Sequence, residues 1–152
     1  MLVRRLAPAA AEPTELVLAL SAEERTRLRG LRLSRCGQPL LLHLPRGEAL
    51  QPGERLAPAI AGPIVRVEAA VEAQLLVRSE DPLALLQAAY HLGNRHVALE
   101  IRLGELRLLE DPVLAQLLEQ RGLHVMSREA PFQPESGAYG HSHGLSHDHS
   151  HA

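Results

Sequence analysis

Short apolar runs separated by turn residues set the pattern of the first half of the chain. Thr14 to Leu20, Leu28 to Leu33, Pro39 to Leu44 and Pro63 to Val67 are such runs, with Gly30, Gly37, Gly47, Gly53 and Gly62 between or within them. Runs of this kind bounded by Gly and Pro predict strands, and together a small all-β domain over residues 1–70. Arg29, Arg32 and Arg35 interrupt the apolar pattern. Arg46-Gly47 and Pro52-Gly53 are turn dipeptides around a strand whose edges the pattern leaves undefined.

From about Glu72 the pattern changes. Ala73 to Val77 reads as a strand, and Asp81-Pro82 follows it, the Asp suited to cap a helix and the Pro preformed for its first position. Leu83, Leu86 and Tyr90, with Leu85, Ala89 and Leu92, recur at helical spacing up to Gly93, which predicts a left-handed stop there. The same grammar returns at Asp111-Pro112, where Val113, Leu114, Leu117 and Leu118 form an apolar face ending at Gly122, before a strand over Leu123 to Met126. Between the helices, Val97 to Leu103 and Leu106 to Leu109 read as strands joined at Gly104-Glu105. The order over residues 71–130 is thus β-α-β-β-α-β, that of a ferredoxin-like domain, and the expected fold class is α+β.

Residues 131–152 are different again. The Pro and Gly of Pro131-Phe132-Gln133-Pro134-Glu135-Ser136-Gly137 oppose regular structure and predict a linker. The tail beyond it holds five of the nine histidines, His141, His143, His147, His149 and His151, among Ser, Gly and Asp. With almost nothing apolar to bury, that tail is expected to be disordered without metal. Imidazoles one or three residues apart on a flexible chain can wrap one ion with small strain, and they suit Ni(II), Cu(II) and Zn(II).

Composition removes several alternatives. All sixteen basic residues are Arg, and without Lys neither a P-loop nor Schiff-base chemistry can operate. Aromatic content is 2%, so the core must come from Leu, Val, Ile and Ala. Residues 1–70 hold ten Arg and seven acids, and residues 71–152 six Arg and eleven acids, with no dense basic stripe for nucleic acid. There is no apolar stretch for a membrane span or signal segment, which predicts a cytoplasmic protein. Cys36 is the single cysteine, read as a small packing residue without a role.

His91 and His96 lie five apart, about 140° round a continuous helix, whereas a zincin pair needs a spacing of four. A stop at Gly93 would leave His96 in the loop entering the next strand, free to project independently of His91. His43 and His124 sit opposite apolar neighbours in period-two patterns, which predicts solvent-facing strand positions. No H-E-x-x-H or similar cluster is present, so a hydrolytic metalloenzyme lacks its placed acid or base, and no catalytic residue is assigned.

Tyr90-His91-Leu92-Gly93-Asn94-Arg95-His96, the stretch Pro131 to Gly140 and the His-rich end together resemble the UreE urease accessory proteins, with a looser likeness through Leu44-Pro45-Arg46-Gly47, Leu50 and Gly53. The resemblance implies a non-catalytic nickel metallochaperone, a homodimer with an N-terminal peptide-binding-like β domain and a ferredoxin-like metal-binding domain. It matches His96 to the family's dimer-interface nickel ligand, one from each subunit, and His91 to a second histidine in a supporting role. It also implies, as partners, the urease-maturation GTPase UreG and the urease apoprotein assembly complex. Some relatives carry further histidines where this chain has Leu108-Leu109-Glu110-Asp111-Pro112, so here metal storage rests on the tail. The same ligands would also serve a nickel or zinc buffering protein without directed delivery, and a peptide-binding role of the β domain with metal incidental stands as a further alternative.

Overall fold

The computed structural model describes residues 1–10, 12 and 15–137. The chain divides into two units, Met1–Ala70 and Val71–Ala152. The His-rich tail expected to be disordered, 141–152, lies outside the described residues.

The first unit is one six-stranded sheet. Its strands are β1 (Leu2–Leu6), β2 (Leu16–Leu20), β3 (Arg29–Leu33), β4 (Pro39–His43), β5 (Arg55–Pro58) and β6 (Val65–Ala69), in the spatial order β2-β6-β5-β1-β4-β3. Alternation decides the faces: in β4, Leu40 and Leu42 are buried while Pro39, Leu41 and His43 are exposed. The core gathers Leu18, Leu20, Leu42, Leu44, Leu50, Leu56, Val65 and Val67. Two strands, β1 and β5, were not expected from the apolar runs. Arg4 and Arg5 break the pattern of β1, but Arg5 is satisfied inside the fold: its guanidinium donates to both carboxylate oxygens of Glu54 at 2.8 Å and to the carbonyls of Glu48 and Ala49. Cys36 is exposed rather than packed. Its Sγ lies 3.1 Å from the Ser34 hydroxyl in the β3–β4 turn, and that contact, with the Gln38 backbone, holds the thiol below its ordinary pKa.

The second unit runs β7 (Val71–Arg78), α1 (Pro82–Asn94), β8 (Glu100–Arg102), β9 (Glu105–Leu109), α2 (Pro112–Gln120) and β10 (His124–Pro131). Its sheet is antiparallel throughout, in the order β10-β7-β9-β8. Leu75 and Val77 of β7 and Leu106 and Leu108 of β9 form one core with Leu85, Ala88 and Leu92 of α1 and Leu118 of α2. By alternation Gln74, Leu76, Glu100 and Arg107 face the other way, with Glu100 paired to Arg107 and Arg107 to Leu76. Both helices start as their Asp-Pro pairs predict. Asp81 accepts from the N–H of Leu83, and Asp111 from those of Val113 and Leu114, with Pro at the first helical position each time.

Strand β8 is shorter than the expected Val97 to Leu103. The Val97 N–H is committed to the Leu92 carbonyl at the end of α1, so the ladder cannot begin there, and Gly104, with φ +76°, turns the chain just after it. After Pro131, residues 132–137 have no regular structure, yet Phe132 is fully buried.

Glu105, at the start of β9, accepts from Arg107 at 2.6 Å and faces Arg78 at 3.4 Å. Burial pushes its carboxyl pKa up, but the hydrogen bond from Arg107 and the charges of Arg107 and Arg78 outweigh it, and the net shift is downward. A depressed folded-state pKa contributes stability that is present above the unfolded value and is lost as pH falls through the folded one. Acid titration of the unfolding midpoint should therefore show a loss below the ordinary glutamate range that is smaller in Glu105→Gln. Identical acid profiles for the two proteins would contradict this.

Candidate metal centre

The end of α1 places the main candidate ligand. The helix does not stop at Gly93: that residue is helical, has no left-handed φ, and a Cβ there would meet nothing within 4 Å. Arg95 is the C-cap, and the left-handed residue is His96, with φ +59°, the only non-glycine positive φ among the described residues. The His96 N–H donates to the Gly93 carbonyl at 2.9 Å and the Val97 N–H to the Leu92 carbonyl at 3.0 Å. These are the 5→2 and 6→1 bonds of a Schellman cap, and Val97 packs against the core that contains Leu92. Helix α2 ends in the same motif, with Gly122 N–H to Glu119 and Leu123 N–H to Leu118, but there the left-handed position holds Gly122 at φ +86°. The two helices share one stop, and α1 fills it with histidine where α2 has glycine.

A left-handed residue with a Cβ costs roughly 1–2 kcal/mol. Strain of this size persists where the surroundings over-determine it, and it clusters at functional positions. Here the two cap bonds and half-buried Val97 fix the backbone, and the histidine stands exposed at the point where helix gives way to strand.

His96 lines an open, mainly apolar recess of about 500 Å³ with Ala89, Gly93, Val97, Leu99, Ile101, Glu135, Ser136 and Gly137. Residues 135–137, read from sequence as linker, thus come to the same place as His96. His91 is not among the lining residues. It falls two residues before Gly93, about 200° round the helix, where it is exposed with its ring edge-on to Tyr90 at 5.5 Å. His43 and His124 are exposed on β4 and β10. His141, His143, His147, His149 and His151 lie outside the described residues, and among those described no group of three or more His, Cys, Asp or Glu could hold a metal. One chain's described residues therefore offer His96 as a single imidazole at an accessible rim.

The outer face of α1 departs from the sequence expectation. Leu85, Ala88 and Leu92 are the buried positions, while Leu83, Leu86 and Tyr90 are 58%, 68% and 67% exposed. The helix thus carries two apolar faces. At 100° per residue Leu83, Leu86 and Tyr90 share an arc with Ala89 and Gly93, so the stripe adjoins the recess. Ile101, 49% exposed, lines the recess from the β8 side. Periodicity reports that a helix has apolar faces but not which of them the same chain covers.

The strain at His96 gives a direct check. His96→Gly and His96→Ala both remove the imidazole, but only Ala retains a Cβ in the left-handed position. The Gly variant should be the more stable by about 1 kcal/mol in equilibrium unfolding. Equal stabilities would mean that the cap relaxes and holds no strain.

Comparison with known proteins gives the chain a family. The family model for the C-terminal domain of the UreE urease accessory protein matches residues 72–152. A urease accessory protein UreE of Parasynechococcus marenigrum (strain WH8102) is 54% identical over 95% of this chain and 96% of its own length. That of Synechococcus sp. (strain WH7805) is 58% identical over 84% of this chain and 73% of its own, and that of Burkholderia vietnamiensis (strain G4 / LMG 22486) 45% identical over 95% and 74%. The likeness therefore spans both units, and the chain belongs to the UreE family of urease accessory proteins.

Proposed function

We propose that this chain is a nickel metallochaperone that delivers Ni(II) for assembly of the urease active site, holding the ion between the His96 imidazoles of two subunits. Membership of a family of urease accessory proteins supports a role in urease maturation. The observation that carries the metal reading is the strained, exposed His96 beside an apolar recess. One imidazole cannot hold an ion tightly, whereas a symmetric pair on a two-fold axis supplies two ligands at once. The stripe of Leu83, Leu86 and Tyr90 offers apolar surface for a second copy to cover.

Two imidazoles leave much of nickel's coordination sphere open, and the tail histidines His141, His143, His147, His149 and His151 complete it. His91, on a different helix face, takes a supporting role at most. Zn(II) and Cu(II) suit the same ligands. Ligands spaced along one segment can leave one at a time, so the ion passes stepwise to the GTPase UreG and the urease assembly complex. The β-α-β-β-α-β order and the β10-β7-β9-β8 sheet support a ferredoxin-like metal-binding domain over 71–130. In the first unit the edge strand β3 exposes Leu31 and Leu33 beside Leu41 of β4, which supports a peptide-binding-like surface. No described helix is long and apolar enough to cross a membrane, and the reading places the protein in the cytoplasm without catalytic residues.

Calorimetric titration of the apo protein with nickel tests the ligand ranking. His96→Ala should abolish the tightest site, His91→Ala should weaken it less, and removal of residues 141–152 should lower capacity while leaving the fold intact. Equal losses from His96→Ala and His91→Ala would overturn the ranking. A storage protein would bind nickel in the same way, and a nickel-dependent complex with the maturation GTPase separates delivery from storage.

A further inference from the structure

The recess beside His96 is walled in part by a segment that arrives from the opposite edge of the second unit's sheet. Strand β10 lies at one edge, where Pro131 pairs with Val71, and β8 lies at the other. Between them runs a strap, residues 132–135, secured at three points. Phe132 is fully buried, the Gln133 N–H donates to Oε1 of Glu100 at 2.9 Å, and the Glu135 N–H donates to the Leu99 carbonyl at 2.7 Å. Leu99 follows His96 by three residues, and both line the recess. The bond to Leu99 therefore sets the Glu135 backbone on the wall of the recess, as the helix cap sets the backbone of His96.

Glu135 differs from the acids of the adjoining strands. Glu100 accepts from Arg102 and Arg107, and Glu105 accepts from Arg107, so guanidinium groups commit both carboxylates to the fold. Glu135 is exposed, and its carboxylate has no hydrogen bond or ion pair among the described residues. Among the described residues that line the recess it is the one acid, His96 is the one imidazole, and there is no arginine. Ala89, Val97, Leu99 and Ile101 make the rest of the wall mainly apolar. A dication held there by two neutral imidazoles would keep its full charge, and burying an unmatched charge is costly. Two carboxylates, one from each subunit, cancel it. Imidazole nitrogen and carboxylate oxygen together suit Ni(II) and Zn(II).

We propose that Glu135 is a ligand of the ion: its carboxylate joins the His96 imidazole at the recess, so that each subunit gives one nitrogen and one oxygen. The inference rests on the reading that two His96 imidazoles share one nickel ion. The backbones of both ligands are fixed before the ion arrives, which is the preorganisation a metal site needs. The Glu135 side chain, held by no other described group, is free to close on the ion and to leave it.

Nickel titration and infrared difference spectra of four full-length chains test this: the unaltered protein, Glu135→Gln, Glu135→Asp and His96→Ala. Loss of an outer-shell partner already costs about 10–100-fold in metal affinity, so Glu135→Gln should weaken the tightest site by at least about tenfold. With one nickel per two chains, the unaltered protein should show a carboxylate stretching band displaced by the metal. That band should vanish in Glu135→Gln and return in Glu135→Asp with part of the affinity. Glu135→Gln breaks no bond among the described residues, so its unfolding midpoint without metal should match that of the unaltered protein. Unchanged affinity and band in Glu135→Gln, where His96→Ala loses the site, would overturn the proposal. Weakening with the band retained would place the carboxylate outside the ion's own ligands, and would overturn it too. A tight site that survives His96→Ala would overturn the reading on which the inference rests.

Discussion

Two hydrogen bonds at the end of α1, from the His96 and Val97 N–H groups to the carbonyls of Gly93 and Leu92, fix the backbone on which the proposed metal site depends. They require a left-handed residue at 96, where the matching cap of α2 carries glycine. Glycine would meet the geometric demand at lower strain, so the imidazole at 96 is held against local preference. The benefit of such a cap for a ligand is preorganisation, since the backbone carrying the imidazole is set before any ion arrives. Partial burial of Val97 against the α1 core ties the same backbone to the packing of the second unit.

In the proposed delivery role the opposite requirement holds for the rest of the coordination sphere. A protein that gives up its ion needs ligands that leave singly, and a closed cage of four protein ligands, as in a structural zinc site, would resist this. Among the described residues there is no such cage. Instead a rigid cap presents His96, while a strap tied to Glu100 and Leu99 ends at the same recess, next to the point where the tail begins. The polar face of the sheet, with Glu100, Arg107, Arg102 and Glu105 interlinked, is what allows a charged anchor to be buried there.

Features set by neighbouring residues were legible in the sequence. The Asp-Pro starts at 81 and 111 and the glycine stop at 122 are local arrangements of donors and acceptors, and each appears where the residues predict it. Four of the six strands of the first unit follow the apolar runs. The stop at 96 was not legible, because a left-handed position without glycine leaves no mark and Gly93 three residues earlier is the obvious decoy. Nor was β1, where Arg5 finds its partner Glu54 only through a contact 49 residues away. Leu83, Leu86 and Tyr90 have the spacing of a core face and yet lie outside, because spacing does not say which chain covers a face. Glu100 carries no motif: besides Arg102 two residues on, its partners are 7 and 33 residues distant and meet only through sheet register and the crossing of residues 132–135.

The pairing of two His96 imidazoles on one ion is most directly tested by native mass spectrometry of nickel-loaded dimers formed from mixed wild-type and His96→Ala chains. Wild-type dimers should retain one tightly held ion per two chains, His96→Ala dimers should retain none at the same free nickel concentration, and mixed dimers should hold it far more weakly than wild type. A tight ion on monomers, or mixed dimers that retain nickel as well as wild-type dimers do, would contradict a site shared between subunits.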